Sequence, residues 1–101
     1  MEKSTIVVEG TFRLGYEEHS DEYSLKVRTY LHKHNAEVIR RQRVQKALYG
    51  PANPDLFMVI DFPSGELAER VFFEPEYRAL IPLRDKVFAD FKMYLAAYGE
   101  L

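Results

Sequence analysis

The segment LFMVIDF, Leu56 to Phe62, lies between the turn-forming YGPANPD and PSG and is apolar except for Asp61. An apolar run of this length, bounded by glycine and proline, reads as a β-strand. Alternate side chains of a strand point to opposite sides, so Leu56, Met58, Ile60 and Phe62 make one face and Phe57, Val59 and Asp61 the other. Both faces are mainly apolar, so any fold that contains this strand has to cover both. The last apolar segment repeats the problem. There Phe91, Met93, Leu95 and Ala97 alternate with Lys92, Tyr94, Ala96 and Tyr98, and neither set reads as a plain solvent face.

The rest of the chain supplies the elements around these strands. Thr5 to Phe12 is a short β-branched run and reads as a strand, followed by the polar loop RLGYEEHSDE. Tyr23, Val27, Tyr30, Leu31 and His34 then recur on one helical stripe, in a helix expected to start near Ser20 or Asp21. Ala36 to Leu48 mixes Val38, Ile39 and Val44 with Arg40, Arg41, Arg43 and Lys46, the pattern of an exposed, charged strand that ends in a hairpin loop. Ser64 is placed to cap a helix whose buried stripe is Leu67, Ala68, Val71 and Phe72. Pro75 fits the first turn of a second helical piece, which Pro82 should end or kink. The order β-α-β-β-α-β defines an α+β, ferredoxin-like unit with a four-stranded antiparallel-type sheet and helices on one face. Residues 1–101 are expected to form a single domain.

Composition narrows the functions. A chain of 101 residues buries roughly 60% or more of its unfolded surface, enough for one modest core. The formal net charge of −2 gives no long-range field that would draw in nucleic acid or an anionic membrane. Without cysteine there are no disulfides, thiolate metal sites or thiol nucleophiles. The three apolar residues Ile6 to Val8 are too few for a signal-peptide core, and no run is long enough to span a bilayer, so a cytoplasmic protein is expected. An apolar sheet face left open would exceed the few hundred Å² usual on a monomer, and a second copy related by a two-fold axis is the simplest cover.

The stretch Leu56 to Phe88 resembles the family called domain of unknown function 1330. Its members run strand, Phe-Pro-Ser, helix, Pro-Glu-Tyr, then an arginine after Pro-Leu. The matching residues are Phe62, Pro63 and Ser64, then Pro75, Glu76 and Tyr77, then Pro82, Leu83 and Arg84. Glu9, Tyr23 and Val38-Ile39-Arg40 extend the likeness more weakly into the first half. The family tends to carry two glycines where Arg41 and Gln42 stand, and an Asp-Pro pair that the loop Arg13 to Asp21 lacks. The resemblance implies the dimeric α+β barrel, in which two ferredoxin-like sheets face each other, and it brings no established activity.

Two groups of residues are candidates for chemistry. Glu9 and Asp61 are expected near the same ends of the first and third strands, read as adjacent and parallel, with Arg40 on the strand beside Asp61. Together they would form a polar cluster at the mouth of an apolar cavity, where one carboxylate could serve as a proton-transfer base. The competing reading is a structural Asp61–Arg40 cross-strand pair and a solvated Glu9. Tyr77 and Arg84 lie at helical spacing with Leu80, Ile81 and Phe88. They either hold the helix in place, the tyrosine by its bonded hydroxyl and the arginine by clamping a carboxylate or carbonyls, or they bind the carboxylate or enolate of a ligand.

Other readings are weaker. His32 and His34 point in different directions on a helix, His19 sits in a loop, and no metal site or cofactor is expected. The run Arg40-Arg41-Gln42-Arg43 suggests RNA, but the third strand has Asp55, Leu56 and Met58 where an RNA recognition motif needs a basic residue and two glycines. Two functions remain. One is a homodimer that binds a small organic molecule in a cavity, with room for a reaction that uses no bound cofactor. The other is a non-catalytic dimeric module for sensing or protein interaction, favoured if Phe57, Tyr94 and Tyr98 fill the cavity.

Overall fold

A computed structural model describes residues 3–97; Tyr98 lies outside the described residues. The elements run β1 (Ser4–Phe12), α1 (Glu17–Lys33), β2 (Glu37–Arg43), β3 (Leu56–Phe62), α2 (Gly65–Val71), α3 (Pro75–Arg78), α4 (Ile81–Val87) and β4 (Phe88–Ala97). The strands form one sheet in the order β2-β3-β1-β4, and every neighbouring pair is antiparallel. This is the α+β, ferredoxin-like arrangement.

One expectation about the sheet is corrected. β1 and β3 run in opposite directions, because the crossover through α1 makes β2 parallel to β1 and the hairpin then turns β3 back between them. Thr5 therefore lies opposite Asp61, and Glu9 lies opposite Phe57. Four residues of strand, about 13 Å, separate the levels of Glu9 and Asp61.

Helices pack on one face of the sheet. Ile6 and Val8 of β1 and Leu56, Ile60 and Phe62 of β3 are buried there with Tyr23, Val27, Tyr30 and Leu31 of α1 and Ala68 and Val71 of α2. The opposite face carries Val7 and Glu9, then Phe57, Val59 and Asp61, then Lys92 and Tyr94, as the register requires. Val7, Phe57 and Val59 are half-buried and Tyr94 is 48% exposed, so an apolar strip crosses the middle of this open face.

Several boundaries differ from expectation for local reasons. α1 begins at Glu17, before Ser20, because Gly15 at φ 84 closes a turn in which Tyr16 N–H donates to the Arg13 carbonyl. The Tyr16 ring then stacks on Phe12 at 4.1 Å, and Glu17 and Glu18 suit the positive end of the helix dipole. At the other end Asn35 at φ 60 stops α1. β2 ends at Arg43, well before Leu48; Val44 N–H still donates to the Asp55 carbonyl, and beyond it Leu48 and Tyr49 lie in an exposed loop. Pro82 does more than end a helix: it opens a separate one, α4, at its first turn. β4 starts at Phe88, directly after α4, and not at Phe91. The Phe88 ring lies so close over Gly10 that a Cβ there would meet it at 2.6 Å, so only glycine lets β1 and this ring approach. As expected, the Ser64 hydroxyl accepts from Leu67 N–H at 3.2 Å and caps α2.

Candidate functional site: a tyrosine pair beneath the helices

Pro75 starts α3, a single helical turn, and that turn points Tyr77 inward until only 1% of it is exposed. Its ring packs edge-on against Phe72 at 5.0 Å and beside Tyr30 at 6.1 Å. The stripe of α1 brings Tyr23 to the same point, and the two hydroxyl oxygens are 3.0 Å apart. Arg84, seven residues along the chain in α4, donates from Nη1 to the Tyr77 oxygen at 3.5 Å and lies over the Phe91 ring at 4.9 Å.

The hydrogen count of this cluster matters. Two tyrosines bring two O–H hydrogens. One is spent between the hydroxyls, whichever donates, and the Tyr77 oxygen also takes the Arg84 N–H. The second hydrogen has no acceptor among the described residues and is left to donate elsewhere. Donation from a cation to the Tyr77 oxygen strengthens that group as a donor in turn.

Both rings border an internal cavity of about 70 Å³ between α1 and the sheet. Its walls are largely apolar, with Met58, Phe72, Phe88 and Met93 among them, and Ser20, Ser24, Arg28 and Arg41 add polar groups to the lining. Phe57 and Tyr94 do not fill it, because they point to the other side of the sheet. Burial, and after it the neighbouring Tyr77, push the Tyr23 pKa far above its ordinary 10.0, so this hydroxyl stays neutral at physiological pH. Burial is the largest single influence on Arg84 and works against its charge, but the hydrogen bond to Tyr77 together with the electrostatic pull of Tyr77, Tyr23 and Asp85 outweighs it, and the pKa is raised. The site thus offers a neutral O–H donor backed by a permanent cation.

The sequence candidates divide between two faces. Tyr77 and Arg84 come together beneath the helices, whereas Glu9 and Asp61 lie on the open face at different levels. Asp61 accepts from Thr5 Oγ1 at 3.1 Å and faces Glu37 across the strand gap. A register shift between Val38 and Arg40 sets Arg40 opposite Val59, so neither the Glu9–Asp61 cluster nor the Asp61–Arg40 pair forms among the described residues. Glu9 is paired in register with Lys92, whose ammonium bonds Asp90 at 3.0 Å. No group of three or more histidine, cysteine or acidic side chains among the described residues could hold a metal ion, and no helix there is long and apolar enough to cross a membrane.

Residues 6–97 match the family described as domain of unknown function (DUF1330). The chain belongs to the DUF1330 family. Solved structures agree on the fold. A protein of unknown function from Rhodopseudomonas palustris superposes with a TM-score of 0.81 at 13% identity, over 99% of this chain and 85% of that one. A Bacteroides fragilis protein of unknown function, described as dimeric and ferredoxin-like, gives 0.64 at 8% identity, over 95% and 96%. A dabb family protein with a ferredoxin-like fold from Mesorhizobium loti gives 0.63 at 12% identity, over 100% and 99%. No curated protein matches the sequence. At these identities the likeness is one of fold.

For this DUF1330 chain, sequence reasoning missed Tyr23 as the partner of Tyr77. It was read as a core residue on the α1 stripe and as a match to the family's helical tyrosine, and nothing in the local sequence marks it as the partner of Tyr77. Arg41 was read only as part of a charged, exposed strand, and it lines the cavity instead. The raised Tyr23 pKa has a consequence for stability. An unfolded chain releases that proton near pH 10 while the folded one keeps it, so its contribution is complete below about pH 10 and falls above it. Urea denaturation should show the protein losing up to about 1.4 kcal/mol per pH unit through this group. Tyr23→Phe should lower that alkaline slope; an unchanged slope would mean that Tyr23 ionises freely in the folded state.

Proposed function

We propose that the chain is a homodimeric binding protein that takes a small organic molecule beneath its helices and holds a carbonyl, carboxylate or enolate oxygen of it at the Tyr23–Tyr77–Arg84 cluster. The unspent hydroxyl hydrogen beside an apolar cavity carries this reading. A few convergent polar groups in an apolar recess are the usual build of such sites. The recess of about 70 Å³ lies below the usual ligand-site range of about 300–1,000 Å³, so it takes the head of a ligand and not a whole one. No carboxylate or histidine lines it, which favours binding over proton abstraction. Any turnover without a bound cofactor would rest on hydrogen-bond stabilisation of charge on the ligand oxygen. Asp61, Glu9 and Arg40 have no part in this site.

Calorimetric titration with benzoate and butanoate tests the head site. Arg84→Lys should weaken binding about tenfold, since a point charge replaces a planar fork of donors. Its melting temperature should stay within a few degrees, because the Arg84 contacts to Tyr77 and Asp85 are long, at 3.5 and 3.4 Å, and contribute little. Equal binding by the variant would reject the ligand role and leave Arg84 as a structural clamp.

The dimer reading rests on the open sheet face. Its apolar strip of Val7, Phe57, Val59 and Tyr94 lies between the charged Glu9, Glu37, Arg40 and Lys92, and a second copy placed face to face would bury it. A dimeric protein of this fold is known from Bacteroides fragilis. Native mass spectrometry should give a dimer for the protein and a folded monomer for Val59→Asp, which puts a charge in the strip without touching the helix-side core. A Val59→Asp dimer would place the subunit contact elsewhere.

A further inference from the structure

A larger recess adjoins the small cavity. Between α2, α4 and the outer strand β4 runs an open groove of about 620 Å³, floored by Ile6, Met93 and Leu95 and bounded by Ile81 and Arg84. Its volume falls within the range of small-molecule sites. Phe72 and Met93 border both the groove and the inner cavity, so the two spaces adjoin at these side chains. Phe72 is pinned by edge-on ring contacts to Phe62 at 6.0 Å and Tyr77 at 5.0 Å. Met93 is half-buried and unbranched, with three rotatable bonds, and is free to yield.

Arg84 stands at the same junction. It lines the groove, its side chain is only 19% exposed, and it reaches Tyr77 from there. A guanidinium carries five N–H donors, yet Arg84 makes only long bonds of 3.5 Å to Tyr77 and 3.4 Å to Asp85. That leaves donors for a carboxylate, which binds an arginine at about 2.7–2.9 Å when the pair is well formed. Leu95 on the floor is 50% exposed and Phe73 on the rim 75% exposed, so the groove presents apolar surface that a ligand tail would cover.

We infer that the groove is the tail site of the same ligand and that the ligand class is an amphipathic carboxylic acid. Its carboxylate meets Arg84 and the tyrosine pair at the junction, and its alkyl or aryl tail lies along Ile6, Met93 and Leu95. The inference rests on the head site proposed above and adds the chemical class and the direction in which the molecule extends. The charged residues lining the groove are Glu69, Arg78 and Arg84, so its balance is cationic; a neutral alcohol of the same length would lose the charge-assisted bonds, and an amine would be repelled by Arg84 at the head position.

The test is a calorimetric series of butanoate, hexanoate, octanoate and decanoate against the protein and Leu95→Glu, with native mass spectrometry of both. Leu95 is at the surface, so the variant should fold. Affinity for the wild type should rise about fourfold per methylene that enters the groove. In Leu95→Glu that rise with chain length should disappear. Butanoate binding with no gain for longer acids would overturn the tail site and leave the head site standing. A gain that persists in Leu95→Glu would overturn the placement in this groove. Failure of every acid to bind would overturn the head site and the tail site together. A change of Leu95→Glu from dimer to monomer mass would assign the groove to a subunit contact and overturn the inference.

Discussion

The hydrogen bond between the Tyr23 and Tyr77 hydroxyls joins the two halves of the helix layer. α3 is one turn long, too short to be stable by itself, since helix nucleation fixes several residues for one hydrogen bond. It persists because Tyr77 is packed among Phe72 and Tyr30 and bonded to α1 through Tyr23. A second tyrosine repeats the device, as the Tyr30 hydroxyl donates to the Val71 carbonyl at 2.6 Å where α2 ends. Leaving a buried hydroxyl without its partner costs roughly 1–3 kcal/mol, so α1, α2 and α3 are joined by pairs from which neither member can be removed alone without loss. The question of whether Tyr77 is structural or functional therefore has a double answer. Its ring and one hydrogen bond build the fold, and the hydrogen left over in the pair is what a ligand would use.

The sheet imposes the complementary constraint. β3 is apolar on both sides, so its helix face builds the core and the cavity while its other face leaves an apolar strip half-buried on the open side of the sheet. The faces are chemically distinct despite similar hydrophobicity. Beneath the helices two tyrosine hydroxyls and the Arg84 guanidinium meet within hydrogen-bonding reach and are largely buried. On the open face they are acids and bases spread along the strands, with Asp61 bonded to Thr5 and Lys92 to Asp90. Only the first arrangement concentrates donors on one point.

Features that depend on local chemistry were legible in the sequence. The alternation in LFMVIDF gave the two-sided strand, Ser64 announced its cap, Pro75 its first turn, and the order of elements the topology. Features that depend on the relation between distant segments were not. Glu9 and Asp61 were placed together by taking β1 and β3 as parallel, and the antiparallel register separates them. Arg40 was assigned to Asp61 without the register shift that sends it to Val59. The meeting of Tyr23 with Tyr77, 54 positions apart, has no local signature at all. The boundary errors have the same origin, since the Phe12–Tyr16 ring stack starts α1 early and the closeness of Phe88 to Gly10 carries β4 back to the end of α4.

The most direct measurement is a methyl NMR titration of the protein with a short carboxylate such as butanoate, because the two faces of the sheet carry separate reporters. Met93 and Val87 lie beneath the helices, and Val7 and Val59 lie on the open face. Binding at the tyrosine pair predicts shifts at Met93 and Val87 with Val7 and Val59 unmoved. Shifts at Val7 and Val59 with the helix side silent would contradict it, and would return the site to the face that carries Glu9, Arg40 and Asp61.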